Sequence, residues 1–323
     1  MSQPPFVSVV VETVTTFEHG ATAPLADLLT ATLSSLNRQS YPRDQFEVIV
    51  VLDATVDKAE VAGLQAKYPS IQVTFAPAPN YFAHKNAGAA CARGTVVALV
   101  DGDCEAASDW IAQLVGRFEP DVAAVAGRTH YTGRSVTART FSIPDFATVG
   151  ATPAGTASGL MVNNLALRRD VLLAHPLDAR ARRNGGCYLL YHELRAAGAR
   201  MVYESGAVVA HGIDIAGLGF VRKHFDRGFD GVGIYRIDDH NVLRGTPVFR
   251  RFGALALIPL TARRIALDWV RLTRDRRQLG ISMFALPYFW AVMLTTRLIE
   301  LAGGLVAALG PDRDTGADAS LTR

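Results

Sequence analysis

Asp101-Gly102-Asp103 sets two carboxylates one glycine apart, directly after the apolar run Thr95-Val96-Val97-Ala98-Leu99-Val100. A buried strand ending in paired acids delivers them to the carboxyl edge of a sheet, where open α/β folds bind their ligands. Paired carboxylates repel unless something positive lies between them. A hard divalent cation, Mg2+ or Mn2+, meets that need and commonly carries the phosphates of a substrate. The spacing alone carries little weight, because Asp312-Arg313-Asp314 repeats it in a polar tail with no strand before it. Position after a strand separates the two.

The elements that would hold this pair follow from hydrophobic pattern. Phe6–Val11, Glu47–Leu52, Ile71–Phe75 and Thr95–Val100 are short, β-branched and apolar, as buried strands are. Between them, Leu25, Leu28, Leu29, Leu33 and Leu36 recur at helical spacing over Leu25–Gln39. Ala83–Ala92 is rich in helix formers and stops before Gly94, and Ser108 is placed to cap a helix reaching about Phe118. Alternating strands and helices imply right-handed crossovers and a mostly parallel sheet. Residues 130–160 read as a long loop with Gly133, Pro144, Gly150, Pro153, Gly155 and Gly159. A strand near Leu160–Leu167, a helix near Tyr188–Ala197 and short strands at Arg200–Tyr203 and Ala207–Ala210 come next.

Length and charge narrow the function further. A chain of 323 residues buries a full core and leaves room for an appendage. Its net charge of +3 is too small to argue for nucleic acid. Three cysteines (Cys91, Cys104, Cys187) show neither a disulfide framework nor zinc spacing. The polar start Met1-Ser2-Gln3-Pro4-Pro5 leads straight into a strand and does not read as a signal peptide.

The C-terminal third changes character. Between Arg222 and Arg277 stand 13 Arg and Lys against 6 Asp. Phe252–Ala262 is apolar and fenced by Arg250-Arg251 and Arg263-Arg264, and Leu279–Thr296 runs 18 residues without a charge. That approaches the ~20 residues needed to cross a bilayer. Arg297 and Glu300, three apart, can pair on one helix face. Basic flanks favour anionic cytoplasmic headgroups, which points to a peripheral or single-span association with the cytoplasmic face of a membrane. A helix lying in the interface and a buried helix closing the core are the alternatives.

Several short signals occur in one order: Val7-Ser8-Val9-Val10-Val11; Val50-Val51-Leu52-Asp53 through Asp57; His84-Lys85-Asn86-Ala87-Gly88; Arg93-Gly94; Asp101-Gly102-Asp103; Asn163-Asn164-Leu165-Ala166-Leu167-Arg168-Arg169; and Gly198 through Val208-Val209-Ala210-His211. Together they resemble the family 2 glycosyltransferases of GT-A fold over about residues 6–215, and the basic, apolar C-terminus resembles the membrane-associated bacterial branch. The resemblance implies a Rossmann-like α/β domain over 1–215, with a donor half to about residue 130 and an acceptor half beyond it. A basic connecting region (216–278), an apolar membrane-associated segment (279–310) and a disordered tail (311–323) complete the expected plan.

The implied activity is metal-dependent transfer of a sugar, with inversion, from a UDP- or GDP-sugar donor to a lipid-linked or saccharide acceptor in cell-envelope glycan synthesis. Carried over position by position, Asp53 would contact the base or ribose, and Asp101 the ribose or the metal. Asp103 would ligate the ion, with His211 as a further ligand. Lys85 and Asn86 would lie near the donor, and Arg168-Arg169 toward the acceptor. Glu12 stands where the family has Pro, at the crevice edge, where it could touch the nucleotide or only cap a turn.

One departure is chemical. Where inverting members carry an acidic pair before the Leu-Arg-x-x-Gly-like segment, Leu194 to Gly198, this chain has Gly186 and Cys187. Neither serves as a base for a sugar hydroxyl, and general-base help is worth about 10²–10⁴ in rate. Asp145, Asp178 or Glu193 could substitute. Alternatively the acceptor is already anionic, as a lipid phosphate is, or the chain binds without catalysing. A nucleotidyltransferase is a weaker alternative, because Thr13–Ala23 has one glycine and no Lys or Arg to cradle a triphosphate.

Overall fold

The computed structural model describes residues 4–17, 23–77, 79–131, 149–212, 218–277 and 281–310. Eight strands form one sheet: β1 (Val7–Glu12), β2 (Phe46–Asp53), β3 (Ile71–Ala76), β4 (Val96–Asp101), β5 (Cys104–Ala106), β6 (Val122–Tyr131), β7 (Asn164–Arg168) and β8 (Arg200–His211). Their order is β3-β2-β1-β4-β7-β6-β8-β5. The expected parallel arrangement holds for β3-β2-β1-β4. Beyond β4 the sheet is mixed: β7 runs antiparallel to β4 and β6, β8 pairs parallel with β6, and β5 pairs antiparallel with β8.

The central strands are apolar because both faces are covered. Val7, Val9, Val48, Val50 and Leu52 point into one core, which includes Leu29, Leu33 and Trp110. Their alternates Val10, Ile49, Val51 and Leu99 point into the other, with Phe82, Leu165 and Leu190. Each such side chain contributes roughly 1.5–3 kcal/mol on full burial, so strand register is firmly held.

Twelve helices are described: α1 (Val14–Phe17), α2 (Leu25–Leu28), α3 (Thr30–Asn37), α4 (Lys58–Lys67), α5 (Tyr81–Cys91), α6 (Trp110–Val115), α7 (Arg169–Ala174), α8 (Gly186–Ala196), α9 (Leu218–Ile237), α10 (Thr246–Phe252), α11 (Leu257–Asp275) and α12 (Leu286–Leu309). The helix expected over Leu25–Gln39 forms, broken at Leu29 into α2 and α3. α5 starts two residues before the expected Ala83, because Asn80 Oδ1 accepts the backbone N–H groups of Phe82 and Ala83 at 3.0 and 2.9 Å. The two short strands expected after Arg200 are one, β8, whose pairing with β6 shifts register after Gly127. Within the expected loop 130–160, residues 132–148 lie outside the described set.

The C-terminal helices pack inside out. α9 and α12 meet so closely at Gly228 and Gly303 that a Cβ at either would run into the other helix's backbone, at Glu300 and Phe225 respectively. Arg297, on the inner face of α12, pairs with Glu300 at 2.6 Å, as their spacing suggested, and with Asp268 of α11 at 2.6 Å. Arg264 and His224 also reach Glu300, at 3.2 Å each. The outer surface carries large apolar side chains among its arginines: Leu255, Ile258, Trp269, Val270, Phe284 and Leu298 are exposed, Phe284 to 97%.

Candidate functional site

Strand register assembles the site. Glu12 at the end of β1 lies beside Asp101 at the end of β4, and Cys104 of β5 lies opposite His211 of β8. Glu12, Asp53 and Asp101 thus end three parallel strands at one sheet edge, with Asp103 and His211 on the adjoining strands.

Lys85 is not open to a donor. It is fully buried on α5, and its Nζ lies 2.6 Å from Asp101 Oδ1. The Tyr81 hydroxyl, one helical turn earlier, donates to the same carboxylate at 2.9 Å to Oδ1 and 3.0 Å to Oδ2. Glu12 accepts from Val14 N at 3.1 Å and from Thr15 Oγ1 at 2.6 Å, closing the turn into α1. Three carboxylates, Glu12, Asp101 and Asp103, therefore lie close to the Lys85 ammonium, which is paired with Asp101, and feel its charge while largely buried. The titrations respond accordingly. Burial, then the Asp101 charge, raises Glu12 to about 8 against the pull of Lys85. Burial, then Asp101, raises Asp103 to about 7.

Asp103 is the least satisfied member. Cys104 Sγ donates to its Oδ1 at 3.6 Å, and His211 Nε2 also stands 3.6 Å from that oxygen. Its Oδ2 is buried and has no hydrogen-bond partner among the described residues. The ligand atoms of Asp101, Asp103, Cys104 and His211 all lie within 4.8 Å of one another. Oxygen and imidazole donors suit Mg2+ or Mn2+, so the residues fit such an ion.

The other expected site residues separate. Asp53 accepts from Thr55 N at 2.7 Å through Oδ1, while its Oδ2 is buried with no partner among the described residues. Asn86 turns away from the edge: its side chain binds Leu177 O at 2.7 Å and Leu177 N at 3.0 Å. Arg168 pairs in register with Val96, at the far end of β4 from Asp101, and donates to the carbonyls of Val122, Glu119 and Pro120. The acceptor-side position expected for it is corrected on that register. Arg169 follows it as the first residue of α7, which puts it at that same far end. Asp145 lies outside the described residues. Asp178 is ion-paired to Arg180 at 2.7 Å.

Glu193 belongs to another opening. It lines an open cavity of about 600 Å³ with Asn86, His175, Asp178 and His240, and none of the clustered carboxylates reaches it. Volume and chemistry point to different places, and the unsatisfied charge decides for the cluster, since space alone supplies no recognition. Tyr81 went unremarked in the sequence, although its position four residues before Lys85 puts both on one helix face.

The sequence profile "Glycosyl transferase family 2" matches residues 15–173, which include Asp53, Lys85, Asp101 and Asp103. The chain is a glycosyltransferase, and its residues 15–173 are similar to the family 2 domain. No curated protein matches it by sequence. Among solved structures, this glycosyltransferase resembles the mannosyltransferase PcManGT from Pyrobaculum calidifontis, determined in complex with GDP-Man and Mn2+. The TM-score is 0.61 at 17% identity, over 95% of this chain and 88% of that one. GalNAc-T7, determined with UDP, GalNAc and Mn2+, gives a TM-score of 0.52 at 13% identity, over 72% of this chain and 52% of that one. Both likenesses concern the fold, which is of GT-A type with an added apolar C-terminal helix.

Proposed function

We propose that this glycosyltransferase holds Mg2+ or Mn2+ through Asp103, His211 and Asp101, and uses it to seat the diphosphate of a UDP- or GDP-sugar. The observation that carries the reading is the buried, unpartnered Asp103 Oδ2 in a group, with Asp101, Cys104 and His211, whose ligand atoms all lie within 4.8 Å of one another. The nucleotides named with the two solved relatives support the donor class. When bound, the ion is a Lewis acid that takes up charge on the departing nucleoside diphosphate. The chain's own residues prepare that place. Lys85 and Tyr81 fix the Asp101 carboxylate, and Glu12 holds the turn beside it. Asp53 Oδ2 is left for a hydrogen bond from the nucleoside.

The outer face of α11 and α12 supports work at a membrane surface. α12 has the length and apolarity of a span. Its ionic residues face inward, however, and α11 carries Arg263, Arg271 and Arg274 beside exposed Trp269 and Val270. Arginines along an amphipathic helix belong at headgroup depth, so the pair lies in the interface on the cytoplasmic side. That placement favours a lipid-linked acceptor and the membrane-associated branch of the family.

Calorimetric titration of GDP and UDP in the presence of Mn2+ tests the donor site. Wild type binds one of them and Asp103→Asn loses that binding at least tenfold. Equal affinities in both proteins refute the metal-bridged site. No binding to wild type favours a scaffold without catalysis.

A further inference from the structure

Two buried polar atoms at the end of β2 have no hydrogen-bond partner among the described residues: Asp53 Oδ2 and His84 Nε2. They belong to one face of the sheet. Val51 points into the core that holds Phe82 of α5, and Asp53, two residues on, shares that face. α5 lies close to the sheet there, since a Cβ at Gly88 would stand 3.0 Å from Val51 Cγ2. His84, one helical turn before Gly88, is 1% exposed, and its Nδ1 lies 3.2 Å from Val51 O. Asp53 also acts electrostatically on the His84 ring.

The contact with Val51 decides which imidazole nitrogen is free. A carbonyl oxygen only accepts, so Nδ1 carries the hydrogen. Thr13 Oγ1 donates to the same carbonyl at 2.7 Å and holds it in place. Burial pushes the imidazole below its ordinary 6.5, against the pull of Val51 O and Asp53, so the ring is neutral at pH 7. Nε2 is then a bare acceptor. Asp53 Oδ1 is occupied by Thr55 N at 2.7 Å, which leaves Oδ2 as the second acceptor. Each unmade bond at a buried polar atom costs about 1–3 kcal/mol, and a ligand with two neighbouring donors recovers both.

Among the common bases, guanine alone carries two adjacent donors on one edge, N1–H and the 2-amino group. Uracil has a single N–H between two carbonyls, and adenine and cytosine each set one amino group beside a ring acceptor. We propose that the donor carries guanosine diphosphate, with N1–H read by Asp53 Oδ2 and the 2-amino group read by His84 Nε2. The inference rests on the donor reading above and names the base. Uracil placed against the same pair sets a carbonyl opposite His84 Nε2, acceptor to acceptor, and the nitrogen stays unpaired. A site built to hydrogen-bond a ligand group rejects the analogue that lacks it.

Calorimetry of the full chain with Mn2+ compares GDP, UDP, ADP and inosine diphosphate, which differs from GDP only in lacking the 2-amino group. GDP is expected to bind at least about tenfold more tightly than each of the others. His84→Phe is expected to bring GDP down to the affinity of inosine diphosphate. Should that variant not fold, 15N-histidine resonances of wild type read the same contact. They are expected to show His84 protonated at Nδ1 and an Nε2 signal that shifts with GDP but not with inosine diphosphate. Equal binding of GDP and inosine diphosphate, UDP binding as tightly as GDP, or His84 protonated at Nε2 in the free protein overturns the proposal and leaves the metal-bridged diphosphate standing. A His84→Phe protein that keeps the full preference for GDP over inosine diphosphate overturns the role of His84. Failure of all four diphosphates to bind overturns the donor reading, and this inference with it.

Discussion

Lys85→Met removes the ammonium that is paired with Asp101 in a cluster of three carboxylates. Lys85 Nζ sits 2.6 Å from Asp101 Oδ1, with side-chain exposures of 0% and 5%. At an effective dielectric of about 20, the attraction is roughly 6 kcal/mol, before the desolvation that both groups lose on burial. The variant is relieved of the lysine's desolvation but leaves Asp101 beside Glu12 with, among the described residues, only the Tyr81 hydroxyl to hold it. Breaking a buried pair from one side typically costs about 3–5 kcal/mol, and that is the destabilisation expected here. Urea unfolding of wild type, Lys85→Met, Asp101→Asn and the double variant measures it, and the cycle isolates the pair. A coupling energy of at least about 2 kcal/mol is predicted, because the neutral Met–Asn combination strands no charge. Saturating Mn2+ should return part of the loss, since a dication supplies the missing positive charge. A destabilisation below about 1 kcal/mol, or strictly additive effects, would refute the buried-pair description.

Further outcomes follow from the same geometry. Glu12 and Asp103 have folded pKa values raised to about 8 and about 7, above the ordinary values of 4.5 and 3.8. The folded state therefore binds more protons than the unfolded one across that window, and metal-free stability should fall as pH rises from about 4 to 8. Mn2+ binding at pH 6.5 should release protons, read as a calorimetric enthalpy that varies with buffer ionisation heat. A buffer-independent enthalpy would contradict it. Gly186→Ala forces a methyl group into Phe82 and should destabilise by about 1–3 kcal/mol in urea unfolding. No loss would mean that Phe82 moves aside freely. Vesicles containing anionic lipid should capture the protein in flotation, less so at high salt, and Arg250→Gln with Arg251→Gln should weaken capture by about 1 kcal/mol per charge. Equal capture by zwitterionic vesicles would remove the electrostatic part.

The parallel half of the sheet was legible because β1, β2 and β4 are apolar on both faces and carry their acids at one end. β6 was not, since Val122–Gly127 is largely alanine, and β5 is only three residues long. α9 escaped for a physical reason: its four glycines lower helix propensity, and packing against α12 overrides that. Within the site, Asp101, Asp103 and His211 could be read from strand ends, and the structure gathers them. Lys85 was noticed for its charge but not for its partner, which lies 16 residues on and meets it only once α5 folds back over the sheet. The Arg297–Glu300 pair was visible as spacing, whereas Asp268 joins it from another helix. Local pattern gives strand ends and helix faces; pairings across the fold need the topology.

Pulsed electron paramagnetic resonance of Mn2+ added with GDP or UDP tests the central claim most directly. The account predicts a bound ion coupled to 31P of the diphosphate and to an imidazole 14N, with the nitrogen coupling lost in His211→Ala and the ion itself lost in Asp103→Asn. A spectrum of free hexaaqua Mn2+ with both nucleotides, or an unchanged bound spectrum in Asp103→Asn, would contradict it.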